Sequence, residues 1–249
     1  MKTALWRKAG FSLAAGLVLL VLRLLQNASG FDPETALALP SLPGTLLIVL
    51  LPMLLAAQLF LQRGVSREKV AFDRAFSPSA ALKMPMVLGS MLLAAGGAFL
   101  AVTSVTQNAG TVNIVCGVLG VAAGFGMILF AVQFFSGSDL TVTPVLPLML
   151  FGVFLVLTVY LPTAEDPVLV RYYIPILASA AAACAFSQLA GFLQLESRPR
   201  SFAVTGNLAA ALCIAALADD TGTPLRIFFI GCAVILIVFL LSAADQPQE

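Results

Sequence analysis

Eight stretches of this chain are long and apolar enough to cross a lipid bilayer, and nothing else constrains its fold as strongly. They run about Ala9–Leu25, Gly44–Leu61, Pro85–Val105, Val112–Phe135, Val142–Leu161, Val168–Leu193, Phe202–Ala218 and Ile227–Ala243. A hydrocarbon core of about 30 Å takes roughly 20 apolar residues of helix to span. Lipid offers no partner to an unpaired backbone group, and these runs lack the apolar/polar alternation of a barrel strand, so each is expected to be helical. Composition agrees: 60% of residues are hydrophobic and only 10% charged, with a mean hydropathy of +1.03. A soluble domain carries roughly 25% charged residues. The expected fold class is therefore all-α, a polytopic integral membrane protein of about eight transmembrane helices, with residues 1–249 forming one transmembrane domain.

The breaks between spans carry turn chemistry. Gln107–Gly110, Ser136–Asp139 and Asp219–Pro224 are short and rich in Gly, Asn, Asp, Ser, Thr and Pro, which makes the helices they join antiparallel neighbours. Only Gln26–Pro43 and Gln62–Met84 are longer, and neither is long enough for a soluble domain. The N-terminus imitates a secretory signal, with Lys2, Arg7 and Lys8 before an apolar run and Asn27-Ala28-Ser29-Gly30 after it. Arg23 interrupts that run, and cleavage would leave an odd number of spans, so an uncleaved first helix is expected.

Charge distribution sets the orientation. With the N-terminus inside, Lys2, Arg7, Lys8, Arg63, Arg67, Lys69, Arg74, Lys83, Arg198 and Arg200 all face one side. The opposite side receives Asp32, Glu34, Glu165, Asp166, Asp219 and Asp220, and only Arg23, Arg171 and Arg226 lie towards it. By the positive-inside rule, both termini are expected to be cytoplasmic, in the plasma membrane of a cell of the bacterial type, its inner membrane. Each of those three arginines is expected to snorkel from a span end to the headgroups. The halves 1–139 and 140–249 share a faint text, Phe60-Leu61-Gln62 then Ser66-Arg67 against Phe192-Leu193-Gln194 then Ser197-Arg198. An even number of spans per half would make such a duplication a parallel 4+4 repeat.

The available chemistry is narrow. The chain has no histidine, which removes bis-histidine haem ligation, zinc hydrolysis of the H-E-x-x-H type and serine–histidine proteolysis. No span carries a lysine or a carboxylate pair. Cys116, Cys184, Cys213 and Cys232 lie in apolar runs without C-x-x-C spacing and read as small packing residues. Neither a catalytic site, a cofactor nor a metal is expected. A net charge of +1 offers no field for a polyanion, so nucleic acid is excluded as a partner.

Four groups of residues are candidates for function. Tyr160, Tyr172 and Tyr173 flank one loop beside Arg171; they are either an interfacial aromatic belt or an outer vestibule whose arginine receives an anionic or zwitterionic group. Gln58, Gln133, Gln188 and Asn113 are mid-membrane amides that either line a polar passage or bond between helices. Two ridges of small residues at i, i+4 spacing point to close helix packing: Cys116, Gly120 and Gly124 on the fourth span, and Ser179, Ala183, Ser187 and Gly191 on the sixth. In the loop 62–84, Arg67, Lys69 and Arg74 either serve only to set the orientation or, if the segment is helical, meet lipid headgroups or a partner while Val70, Phe72 and Phe76 dip into the leaflet.

Two functional readings stand. One is a bundle that binds or transports a small-molecule substrate; the other is a non-catalytic membrane subunit or scaffold that docks a cytoplasmic partner on the loop 62–84. The lipid bilayer is the expected surrounding in both, with a homo-oligomer or membrane complex as further partner classes.

Overall fold

The computed structural model describes residues 2–32, 37–138, 140–141, 143–164, 172–194 and 197–243. The helices are α1 (Lys2–Ser29), α2 (Leu42–Leu61), α3 (Phe72–Ala75), α4 (Ala80–Gln107), α5 (Thr111–Ser136), α6 (Leu146–Tyr160), α7 (Tyr173–Leu193), α8 (Pro199–Ala215) and α9 (Thr223–Ser242). All but α3 are long and apolar enough to cross a membrane, giving eight spans. Among the described residues there is no strand. This is an all-α, multi-pass membrane protein.

Helix ends follow the local sequence. Pro43, Pro147, Pro199 and Pro224 sit in the first turns of α2, α6, α8 and α9, where the missing N–H has no intrahelical partner to lose. Ser41 caps α2 by accepting a bond from the Gly44 amide at 3.3 Å. The α4–α5 hairpin turns at Asn108 (φ 52°) and Gly110 (φ 89°), two positive-φ positions that suit these residue types. Two span boundaries move. The span expected from Val142 gives a helix, α6, that begins only at Leu146, after Pro144. Pro175, inside the stretch Val168–Leu193, lies in the first turn of α7, where it breaks no ladder.

Six helices close a ring: α4 packs on α5, α5 on α6, α6 on α7, α7 on α8, α8 on α9, and α9 returns to α4. Outside it, α1 lies along α8, and α2 lies on α1 and α8. The packing does not break at 139/140, because α5 pairs with α6 across that point and α4 with α9. The ring is filled rather than hollow. Phe228 of α9 meets Phe151 of α6 at a centroid distance of 4.8 Å, and its ring occupies the space left by Gly96 and Gly120. Cys116, Cys213 and Cys232 are buried free thiols, while Cys184 is exposed.

The loop 62–84 corrects the expectation that its aromatic residues enter the leaflet. Phe72 and Phe76 are 4% and 2% exposed and plug the mouth of the ring. Phe72 packs edge-on against Phe130 (5.4 Å) and Phe134 (5.5 Å) of α5; Phe76 packs against Phe192 of α7 (5.1 Å), Phe202 of α8 (5.5 Å) and Phe239 of α9 (5.6 Å). Backbone bonds stitch the segment down: Val70 N–H to Ser197 O (3.4 Å), Ser77 N–H to Ser242 O (2.8 Å), and Arg200 N–H to Ser66 O (3.3 Å). The single turn α3 puts Phe72, Ala75 and Phe76 on one face. Both a leaflet and a bundle mouth accept such a face; the bundle adds aromatic partners at close range. Because Phe76 also bridges to Ala243, the chain's last helix ends where the loop after α2 lies. That end, carrying Arg67, Lys69, Arg74, Lys83, Arg198 and Arg200, is called the basic end below.

Candidate functional site

The helix α1 buries one stripe: Ala9, Ser12, Gly16, Leu19, Arg23, Gln26 and Gly30, spaced alternately by three and four residues. Such spacing keeps side chains on one face. Arg23 therefore points into the protein, and the expectation that it snorkels to the headgroups is overturned. Its side chain is fully buried and forms an ion pair with Asp219, Nε donating to Oδ1 at 2.7 Å. Nη1 donates to Gln26 Oε1 at 2.6 Å, and the guanidinium lies 5.0 Å from the centre of the Tyr173 ring and 5.9 Å from that of Phe31.

Asp219 is held from three directions. Asn27 Nδ2 donates to its Oδ1 at 3.3 Å and to Ala218 O at 3.0 Å, while Arg226 Nε and Nη2 donate to its backbone carbonyl at 3.2 and 3.1 Å. Tyr173 donates its hydroxyl to Gln26 Oε1 at 3.5 Å. An isolated charge deep in a membrane span costs roughly 2.5–3.5 kcal/mol. Pairing, bonds from neutral amides and an aromatic face together offset that cost, leaving a neutral but strongly polar centre between α1, α7 and the end of α8. Room for it comes from α2: a Cβ at Gly44 would lie 3.0 Å from Gln26 Nε2 and from Ser41 Oγ.

Beside this centre, the same loop after α8 borders a second feature. A cleft of about 380 Å³ opens between α4, α5, α6 and α9 at the end opposite the basic one. Its polar lining is hydroxyls and amides: Thr103, Ser104, Gln107, Asn113, Thr158, Thr221 and Thr223, with Phe99, Leu100, Pro162 and Leu225 as apolar walls. Among the described residues, none that lines it is charged. Thr221 Oγ1 is buried with no hydrogen-bond partner among the described residues. Such a surface matches a small neutral or zwitterionic molecule better than an ion.

The sequence candidates scatter. Tyr173 joins the Arg23–Asp219 centre, Tyr172 is half-buried, Tyr160 is 45% exposed at the end of α6, and Arg171 lies outside the described residues. The four amides do not line one passage. Gln58 is buried on α2, outside the ring; Gln133 is half-buried on α5; Gln188 Oε1 accepts from Thr205 Oγ1 at 3.1 Å; only Asn113 borders the uncharged cleft. Gln62, missed from the sequence, is buried one turn beyond Gln58, and the Oε1 atoms of Gln58, Gln62 and Gln133 have no partner among the described residues.

The two ridges behave differently. On α5, Gly117, Gly120 and Gly124 press against α4 and Phe228: a Cβ at Gly124 would stand 2.6 Å from Ala94 N, and one at Gly117 2.6 Å from Ala101 N. Cys116 is buried beside them. On α7, Ser179 is buried and Ala183 packs on Gly152 of α6, but Ser187 is exposed and Gly191 meets Ser197 beyond the helix end. A strict four-residue step overshoots the 3.6-residue turn, so each step rotates the ridge by about 40° and four members cannot share one face. The stripe α7 buries is Ala178, Ala182, Ala185, Phe186 and Leu189. Arg67, Lys69 and Arg74 are exposed at the basic end.

Sequence reading also missed Ser12 of α1, whose hydroxyl donates to Asn207 Oδ1 between the buried faces of α1 and α8. The signal was the alternating spacing of polar residues along α1, which puts Ser12, Arg23 and Gln26 on one stripe. Among the described residues no group of three or more His, Cys, Asp or Glu side chains comes together to hold a metal. Comparison with family models, curated proteins and solved structures returned no match.

Proposed function

We propose that this multi-pass membrane protein binds a small polar molecule at the end opposite the basic one and carries it across the membrane. The observation that supports this reading best is the fully buried Arg23–Asp219 pair, an arginine inside the first span held by a carboxylate just past the end of the seventh, since an ionisable group kept within a span is by default a candidate for a substrate or ion route. The uncharged cleft next to it supplies hydroxyl and amide partners. The Phe72–Phe76 plug fills the mouth of the ring at the basic end, and the uncharged cleft opens at the other, an asymmetry that alternating access would use. We read the chain as non-catalytic, lying in the inner membrane with the basic end and both termini cytoplasmic.

Single cysteines in a cysteine-free background test this. Thr103→Cys and Asn113→Cys are expected to react with a membrane-impermeant maleimide added outside, whereas lipid-facing Val118→Cys stays unlabelled. A panel of small neutral and zwitterionic metabolites is then screened for a rise in Tm that Asn113→Leu abolishes. Cleft cysteines as silent as Val118→Cys would remove the transport reading.

A second reading, a scaffold that docks a cytoplasmic partner on the loop 62–84, is favoured by one observation: that loop is pinned by Phe72 and Phe76 and presents Arg67, Lys69 and Arg74 outward. Neutralising those three would abolish co-purification of the partner and leave the maleimide pattern unchanged.

A further inference from the structure

At the basic end, a cleft of about 390 Å³ lies between the last turn of α2, the loop after it and the start of α8, lined by Leu59, Arg67, Arg198, Arg200, Ser201, Val204 and Thr205. We propose that this cleft binds a phosphate group, either the phosphodiester of an anionic lipid headgroup or a soluble phosphate ester.

Three arginines from two separate parts of the chain line one cavity. The planar fork of arginine matches phosphate oxygens in bidentate fashion, which a lysine ammonium does not. The general bias of basic residues to this side does not explain that selection, because any Lys or Arg in these loops satisfies it equally. Lys69 and Lys83 lie at the same end but outside the lining, which contains no carboxylate among the described residues. The site is also preformed. Arg200 Nη2 donates to Leu59 O at 3.3 Å and the Arg200 amide to Ser66 O at 3.3 Å, tying α8 to α2 and to the loop that carries Arg67. The first turn of α8 adds the positive end of its helix dipole and the Ser201 hydroxyl. Apolar surface continues from the cleft, where Leu59, Phe60 and Leu61 are all exposed around the last turn of α2, next to where a lipid's acyl chains would lie.

Native mass spectrometry on the intact protein, released from nanodiscs of phosphatidylcholine with a minor fraction of phosphatidylglycerol, tests the proposal. One retained phosphatidylglycerol is expected. The triple variant Arg67→Gln/Arg198→Gln/Arg200→Gln should weaken retention by ~10-fold or more, given the contribution of each basic group near a lipid surface. The control Lys69→Gln/Arg74→Gln/Lys83→Gln removes the same charge from the same end and should change retention little. The triple Arg→Lys variant should recover only part of the binding, and an unchanged Tm in pure phosphatidylcholine shows that each variant is folded. If glycerol 3-phosphate or inorganic phosphate raises the Tm of wild type but not of the Gln triple, the same site serves a soluble ester, which also supports the proposal. Equal losses in the Gln triple and the control would overturn it in favour of a diffuse field. So would the absence of binding by all three probes, or a folded Gln triple that retains lipid as well as wild type.

Discussion

Gly97 of α4 and Gly117 of α5 face each other so closely that a methyl group on either would strike the partner helix's backbone: a Cβ at Gly97 would stand 2.6 Å from Gly117 O, and one at Gly117 2.8 Å from Gly97 O. The contact locks the hairpin on which both the uncharged cleft and the Phe228 seat depend. In lipid, where no hydrophobic drive pulls helices together, this approach gains its stability from dispersion and backbone proximity.

Gly97→Ala is expected to lower stability by about 1–3 kcal/mol, the usual range for overpacking a closed contact. Gly10→Ala is the control, since a Cβ there meets nothing within 4 Å. That change should be neutral or slightly stabilising, because alanine is the better helix former. Thermal unfolding in detergent separates the two; equal effects would refute the packing account.

Arg23 and Asp219 should behave as one unit. Removing either partner leaves a buried charge alone, so Arg23→Ala and Asp219→Ala should each cost about 3–5 kcal/mol. The double variant Arg23→Leu/Asp219→Leu should cost much less than the sum of the single changes. A double-mutant cycle measures the difference, and additive losses would mean that the two groups do not depend on each other.

Ser12 and Asn207 join the same pair of helices without charge, and their bond should matter far less. Ser12→Ala is expected to cost about 0.6 kcal/mol, the average for an interhelical bond in a membrane protein. A loss comparable to that of Arg23→Ala would shift the anchoring of α1 from its ion pair to its first half.

Phe76→Ala should open the basic end. Truncating a buried phenylalanine costs about 3–5 kcal/mol, and here the loss falls on the segment between α2 and α4. Limited trypsin digestion is expected to cut at Arg67, Lys69 and Arg74 several-fold faster than in wild type. An unchanged rate would show that the backbone bonds at Val70 and Ser77 hold the segment unaided.

Reporters fused before Met1 and after Glu249 should both lie in the cytoplasm, with one inserted after Gly30 on the other side. Opposite locations for the terminal reporters would contradict the even number of crossings.

How far the sequence reaches depends on the range of each interaction. Spans were legible because the bilayer tests each segment of about 20 residues separately, through length and hydropathy. The tight α4–α5 hairpin was legible from Asn108-Ala109-Gly110, whose turn chemistry is equally local. Gly120 and Gly124 of the α5 ridge press on α4 and Phe228 together with Gly117, a contact within reach of the sequence because α4 is the neighbouring helix in the chain. By contrast, the α7 ridge failed, since identical spacing says nothing about which face a helix turns inward. Arg23 was assigned to the headgroups because Asp219 lies 196 positions away, and no local pattern joins them. Phe72 and Phe76 carried an apolar face that suits lipid and bundle alike; only the aromatic mouth built by α5, α7, α8 and α9 decides between them. Medium, helix number and antiparallel hairpins were thus written in single segments, each answering to lipid alone. The ion pair, the plug and the two clefts exist only where segments distant in the chain meet, because charge pairing and ring packing act over a few ångströms in space, whatever the separation in sequence.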